Sequence, residues 1–127
     1  MTKAVENLRK RKITGGRRKV ARSRRAYERD RYPIETILGE ERSVAKRVRG
    51  GNIKIAAKGV QYANVVDESN KVRRVKILGV VKNPANKEYE RRQVITKGAI
   101  LKTELGLVKV TSRPGQHGVV NAVLVKS

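Results

Sequence analysis

The sequence predicts an all-β protein: a small antiparallel β-barrel, closed or partly closed, preceded by a basic, extended N-terminal arm. Three observations lead there. Positive charge is concentrated at one end: residues 1–32 hold 13 Lys+Arg and 3 Asp+Glu, whereas residues 33–127 hold 19 and 8 over three times the length. Beyond Pro33, Val and Ile fall in short runs about ten residues apart with turn residues between them, the pattern of a sandwich or barrel. The chain has only 127 residues, enough for one domain or one domain with a tail. At that size a barrel is easier to fill than a sandwich, and closure removes the exposed edges of a valine-rich sheet.

The arm comes first, residues 1–32. Its apolar residues (Val5, Leu8, Ile13, Val20, Tyr27, Tyr32) are scattered and follow neither a helical nor a strand period. Gly15-Gly16 disfavours a helix nucleus by about 1 kcal/mol per glycine. Dense like charge opposes a helix over residues 17–31 unless an anionic partner is present. The arm is therefore expected to be disordered when free and ordered by its partner.

Residues 33–127 are read as the barrel domain. "IKIAAKGV", with Ile53, Ile55 and Ala57 alternating with Lys54 and Ala56, reads as a core strand. "VQYANVV", the turn-like "DESN" and "VRRVKILGVV" make a hairpin, with Val75, Ile77 and Val81 on its inner face. Asn83-Pro84-Ala85-Asn86 marks a turn. "YERRQVIT" and "AILKT" follow as strands. Glu104-Leu105-Gly106 reads as a three-residue hairpin loop with Gly106 left-handed, leading into "LVKVTS". Arg113-Pro114-Gly115-Gln116 fits a type II turn. The closing "VVNAVLVKS" is apolar on both faces and is expected to be covered on both. Helix should be minor.

Composition narrows the function. The formal net charge is +21 and the pI about 11.2. Such an excess strains a free compact fold by self-repulsion and makes sense beside a dense polyanion. Nucleic acid is the first candidate and an anionic membrane surface the second. No apolar run reaches the roughly 18 residues that span a bilayer. No apolar segment follows the N-terminal charges, so no secretory signal is expected and the expected compartment is the cytoplasm. The absence of cysteine excludes disulfides, thiolate catalysis and zinc-finger ligation. Four Tyr with no Phe or Trp make a poor platform for stacking single strands. Recognition of folded, double-helical RNA by shape and phosphate contact fits better.

Catalytic chemistry is not expected. His117, the single histidine, sits in the loop "RPGQHG" with no adjacent base partner. Asp30 lies in the arm and Asp67 in a turn. Glu40-Glu41 are adjacent and would point to opposite faces of a strand. These carboxylates form neither a dyad nor a metal cluster, so no catalytic residue, metal or cofactor is assigned. Neither glycine pair matches a nucleotide-binding fingerprint.

Electrostatic binding is the chemistry the sequence supports. Arginine offers planar, multi-donor contact to phosphate and lysine a point charge. The candidate RNA ligands in the arm are Arg9, Lys10, Arg11, Lys12, Gly15, Gly16, Arg17, Arg18, Lys19, Arg22, Arg24, Arg25, Arg29 and Arg31. The glycines let backbone N–H groups approach phosphate. In the barrel domain, "RVRGGNIK" repeats the device with Arg47, Arg49, Gly50, Gly51 and Asn52, and Lys97 and Arg113 complete the set.

Several segments taken together resemble a known family. "TGGRRKVARSRRAYERDRYPIETILGEER", "RVRGGNIK" and "VKNPANKEYERRQVITKGAILKTELGLVKVTSRPGQHGVVNAVLV" are similar, in this order, to the archaeal branch of the small-subunit ribosomal protein family eS-eight. The likeness runs from about Thr14 to the C-terminus. It implies a β-barrel-like domain with a basic N-terminal extension bound to small-subunit rRNA. Gly15, Gly16, Arg17 and Arg18, then Arg49, Gly50, Gly51 and Asn52, fall on the family's RNA-associated motifs, and Lys97 and Gly98 on its "TKGA" turn. The implied partners are small-subunit rRNA and neighbouring ribosomal proteins. Neither a membrane nor homo-oligomerisation is expected.

Overall fold

The computed structural model describes residues 8–28 and 31–125. Arg29, an expected RNA ligand, and Asp30 lie outside the described residues, as does the end of the last predicted strand beyond Val125. The chain divides into two compact units, Met1–Pro33 and Ile34–Ser127.

In the first unit the described residues form local turns. Arg11 and Arg17 make an antiparallel bridge. It is closed by Lys12 N–H donating to the Gly16 carbonyl at 2.9 Å and Gly15 N–H to the Lys12 carbonyl at 3.0 Å. Gly15 has φ +82°, which its missing Cβ permits at little cost. A single 3₁₀ turn follows at Ala26–Glu28, and no longer helix forms over the described part of residues 17–31.

The second unit is all-β, with two short α-helical turns and a 3₁₀ turn at Arg49–Gly51 among its described residues. In order it contains β1 (Thr36–Leu38), β2 (Arg42–Arg47), β3 (Ile53–Val60), β4 (Tyr62–Val66), β5 (Val72–Lys82), α1 (Lys87–Arg91), β6 (Val94–Ile95), β7 (Ile100–Thr103), β8 (Gly106–Val110), α2 (Pro114–His117) and β9 (Asn121–Leu124). Strands β4-β5-β7-β8-β9 close into a barrel. The closing pair, β4 with β9, is parallel, while the other four are antiparallel. Strands β2-β3-β1-β6 form a separate four-stranded sheet.

The registers fix the barrel's shape. From Lys82 on β5 the cross-strand partners run through Ile100, Lys109, Val123 and Val66 to Val72, back on β5 and ten residues nearer its start. Five strands with so large a stagger are strongly tilted around a narrow interior. Small and branched side chains fill it: Ala63, Val65, Val75, Ile77, Leu101, Val108, Val110 and Ala122 are all buried. A chain without Phe or Trp suits this interior.

Several elements depart from the sequence expectations. β5 is irregular between Ile77 and Gly79 and again between Val80 and Lys82. The first shift turns Val80 inward and leaves the expected core residue Val81 51% exposed, because a bulge reverses the two-residue alternation. Gln93 serves the same region: its amide oxygen accepts from the Val80 N–H at 2.8 Å. "YERRQVIT" is not one strand. Lys87–Arg91 is helical because Asn86 caps it, its side-chain oxygen accepting from the Glu88 N–H at 3.0 Å, and only Val94–Ile95 is a strand.

The β7–β8 loop has two residues, since Thr103 already pairs with Gly106; Gly106 keeps a positive φ of +126°. Pro114 starts a helical turn, its fixed φ suiting a first helical position. The left-handed residue is then Gly118, φ +78°, not Gly115. Strand β9 is covered on one face only, with Ala122 buried and Val123 exposed. On β3, Ile53 and Ile55 are 70% and 54% exposed, so the core residues of that strand are Ala56, Ala57 and Val60.

Asn83 anchors the chain between β5 and α1. Buried, it donates to the Val94 carbonyl at 3.0 Å and accepts from the Ala85 N–H and the Thr96 hydroxyl. Among the described residues no buried side-chain nitrogen or oxygen lacks a partner.

Candidate nucleic-acid interface

The arm presents its cations on a folded-back backbone. Arg9, Lys10, Arg11, Lys12, Arg17, Arg18, Lys19, Arg22, Arg25 and Arg31 are exposed, and Arg24 is half-buried. The bridge between Arg11 and Arg17 brings the two cationic runs flanking Gly15-Gly16 side by side, and the Arg11 guanidinium donates to the Gly15 carbonyl at 3.1 Å. Like charges held this close repel, and an anion between them would relieve the repulsion.

Among the described residues of the first unit the one carboxylate is Glu28. Arg22 grips it with both guanidinium nitrogens, one at 2.7 Å, and the Arg25 N–H donates to it at 3.0 Å. The Arg22 hydrogen bond and then that N–H hold the Glu28 carboxyl well below its ordinary range, at about 2.

In the second unit the β2–β3 hairpin carries the expected motif at its tip. Arg47 ends β2, and Arg49–Gly51 form a 3₁₀ turn closed by Val48 N–H donating to the Asn52 carbonyl at 2.7 Å. Gly50 and Gly51 both have positive φ, +72° and +76°. Arg47, Arg49 and Asn52 are exposed there. Successive backbone N–H groups in such a turn can form a concavity suited to an anion.

Lys97 sits at the tip of a second turn, Thr96–Ala99, where the Ala99 N–H donates to the Thr96 carbonyl at 3.1 Å and Gly98 takes φ +87°. That is the geometry of a type II turn. Arg113 precedes α2, which packs on β3. The fold therefore gathers Arg47 to Asn52 into one tip, while Lys97 and Arg113 stand on separate loops.

Several carboxylates of the second unit have arginine partners. Asp67 pairs with Arg73 at 2.8 Å, Glu41 with Arg74 at 2.8 Å and Glu40 with Arg42 at 3.0 Å; Glu35 pairs with Arg92. His117 is exposed and accepts from the Arg113 N–H at 3.3 Å through Nδ1. Among the described residues no three His, Asp or Glu side chains gather into a metal-ligating group, and no helix is long and apolar enough to cross a membrane. Sequence reasoning did not single out Arg42 or Arg74. Their pairing with Glu40 and Glu41 depends on the β1–β2 connection, which no local motif signals.

These features define a class: a small, strongly basic β-barrel protein that offers exposed cations and glycine turns. The family model described as Ribosomal protein S8e matches residues 6–125. The chain belongs to that family, one of structural and not enzymatic proteins. Among relatives, the small ribosomal subunit protein eS8 of Sulfurisphaera tokodaii is 52% identical over 118 residues, covering 91% of this chain and 92% of its own. That of Ignicoccus hospitalis is 52% identical over 118 residues, with 91% of each chain covered. That of Methanoregula boonei is 47% identical over 116 residues, covering 91% and 93%.

Proposed function

We propose that this protein is a structural constituent of the small ribosomal subunit that binds folded rRNA and supports subunit assembly. The observation that carries the reading is the density of exposed cations around Gly15-Gly16 and at the Arg49–Gly51 tip, in a chain of net charge +21 belonging to a ribosomal protein family. The arm, residues 1–32, acts as the RNA-binding extension and residues 33–127 as the platform. Local turns at residues 11–17 and 22–28 exist before binding, and the path of the arm between them is set by the RNA. Arginines and lysines neutralise phosphates and release counterions, and the two glycine turns bring backbone N–H groups to phosphate oxygens. The neighbours are rRNA and other ribosomal proteins, and the compartment is the cytoplasm.

Sucrose-gradient fractionation of a native lysate tests the reading. The protein should sediment with small subunits and leave them only in high salt. Binding of purified protein to small-subunit rRNA should fall with salt at a log–log slope of roughly −7 to −9, the value for about ten neutralised phosphates. Sedimentation apart from small subunits, or equal affinity for arbitrary duplex DNA, would overturn it.

A further inference from the structure

A groove of about 580 Å³ opens on the second unit between the β2–β3 hairpin and the outer face of the barrel. Its chemistry differs from that of the arm. One wall is apolar, with Ile55, Val60 and Val119. On the barrel side, Arg74, Asn64 and Asn121 form an outward row across β5, β4 and β9, and the Asn64 amide donates to the Asn121 side chain at 3.1 Å. Tyr62, one step along β4 and 39% exposed, lies under the Arg74 guanidinium, 4.5 Å from ring centroid to Cζ. Glu41 holds that guanidinium from the side at 2.8 Å.

We infer that this groove takes one unpaired nucleotide of RNA, its base stacked on the Arg74–Tyr62 pair. The inference rests on the proposed rRNA binding and names an interaction of a different kind. Three features select a base in preference to a phosphate. The charge of Arg74 is offset by Glu41 beside it, so the pair offers a flat polarisable surface with little net charge. A carboxylate beside that surface accepts from base-edge N–H groups and repels phosphate. The Asn64 side chain, in the groove wall and braced by Asn121, adds a further amide donor and acceptor. Arg42, which also lines the groove and is paired with Glu40 at 3.0 Å, would have to exchange that partner to meet the nucleotide's own phosphate. An acidic peptide, the alternative polyanion, would meet Glu41 and gain nothing from the stacked ring.

The groove is held in shape by two close approaches. A Cβ on Gly59 would lie 2.2 Å from the Glu40 carbonyl oxygen, and one on Gly118 would lie 3.0 Å from the Ile55 carbonyl oxygen. Glycine at these points lets the β1–β2 connection and the lead-in to β9 press against β3.

The test uses the full-length protein and small-subunit rRNA. Tyr62→Leu removes the ring that holds the Arg74 plane in place and should weaken binding about 2- to 5-fold, the worth of one exposed cation–π contact, with an unchanged salt slope because no charge is removed. Tyr62→Phe should bind like the parent, and Arg74→Lys, which keeps the charge and loses the plane, should weaken binding. Ultraviolet cross-linking of the parent complex should place an RNA adduct on the tryptic peptide Gly59–Lys71, in which Tyr62 is the sole tyrosine. Parental affinity of Tyr62→Leu without that adduct would overturn the groove's role and leave rRNA binding standing. Recovery of the same peptide cross-linked to another protein in intact subunits would overturn it in favour of a polypeptide occupant. Failure of the parent protein to bind rRNA would remove the proposed function itself.

Discussion

At Gly59 a single hydrogen in place of a side chain decides the local fold. The Glu40 carbonyl oxygen would stand 2.2 Å from a Cβ there, and the obstacle is backbone, which cannot rotate aside. Gly59→Ala should therefore destabilise the second unit by about 1–3 kcal/mol, the usual range for overpacking, measured by denaturant unfolding. Parental stability would show that the β1–β2 connection is free to move. Glu28 supports a pH prediction. Its carboxyl is held at about 2 against an ordinary 4.5, first by Arg22 and then by the Arg25 N–H. A folded pKa below the unfolded one stabilises above the unfolded value, and that stability disappears as pH falls through the folded one. The Arg22–Glu28 turn should hold at pH 5 and open between about pH 4.5 and 2. Carbon-13 NMR of the Glu28 carboxyl would check this, with a midpoint near 4.5 contradicting it. Residue identity was legible where it acts locally: the positive φ of Gly15 and Gly50 belongs to glycine pairs that stand out in the sequence as places where the backbone can leave regular structure. The close approach at Gly59 was not legible, because its partner lies 19 positions away in the chain.

Elements were legible where hydrophobic alternation and a turn signal agreed. The β4–β5 hairpin pairs Val66 with Val72 around "DESN", with Asp67 N–H donating to the Lys71 carbonyl at 2.9 Å. Alternation failed on β5 because the irregularity after Ile77 reverses its phase, and nothing in "KILGVV" marks where it falls. Gln93 shows how the structure supports that irregular stretch: its amide oxygen accepts from the backbone N–H of buried Val80. Gln93→Ala would strand that N–H and should cost about 1–3 kcal/mol, measured by thermal unfolding; a neutral outcome would mean that β5 repairs itself. The helix Lys87–Arg91 did carry a signal. Asn86 followed by Glu88 and Glu90 is a capped, acidic first turn. A pattern this short is easily outweighed by the β character of its surroundings.

For the whole molecule the governing quantity is charge. A net +21 in 127 residues opposes compaction unless counter-charge is near, and the proposed rRNA supplies it. Changing Arg11, Arg17, Arg18 and Lys19 together to Gln should reduce the magnitude of the salt slope for rRNA binding by about 3 to 4, at roughly 0.9 for each phosphate left unneutralised. The unfolding midpoint of the second unit should not move. An unchanged slope would show that these cations do not meet phosphate. The amino-acid sequence alone determined the all-β class, the segregation of charge at Pro33 and the excess of positive charge from which a polyanionic partner is proposed, because composition and short-range periodicity act without reference to the rest of the chain. Only the tertiary structure decided that the barrel closes through a parallel β4–β9 pair, that a second sheet forms from β2-β3-β1-β6, and that Tyr62, Arg74 and Glu41 meet in one groove. Those outcomes depend on pairings between residues distant in sequence, where strand stagger and close backbone packing select among arrangements that local patterns leave equally open.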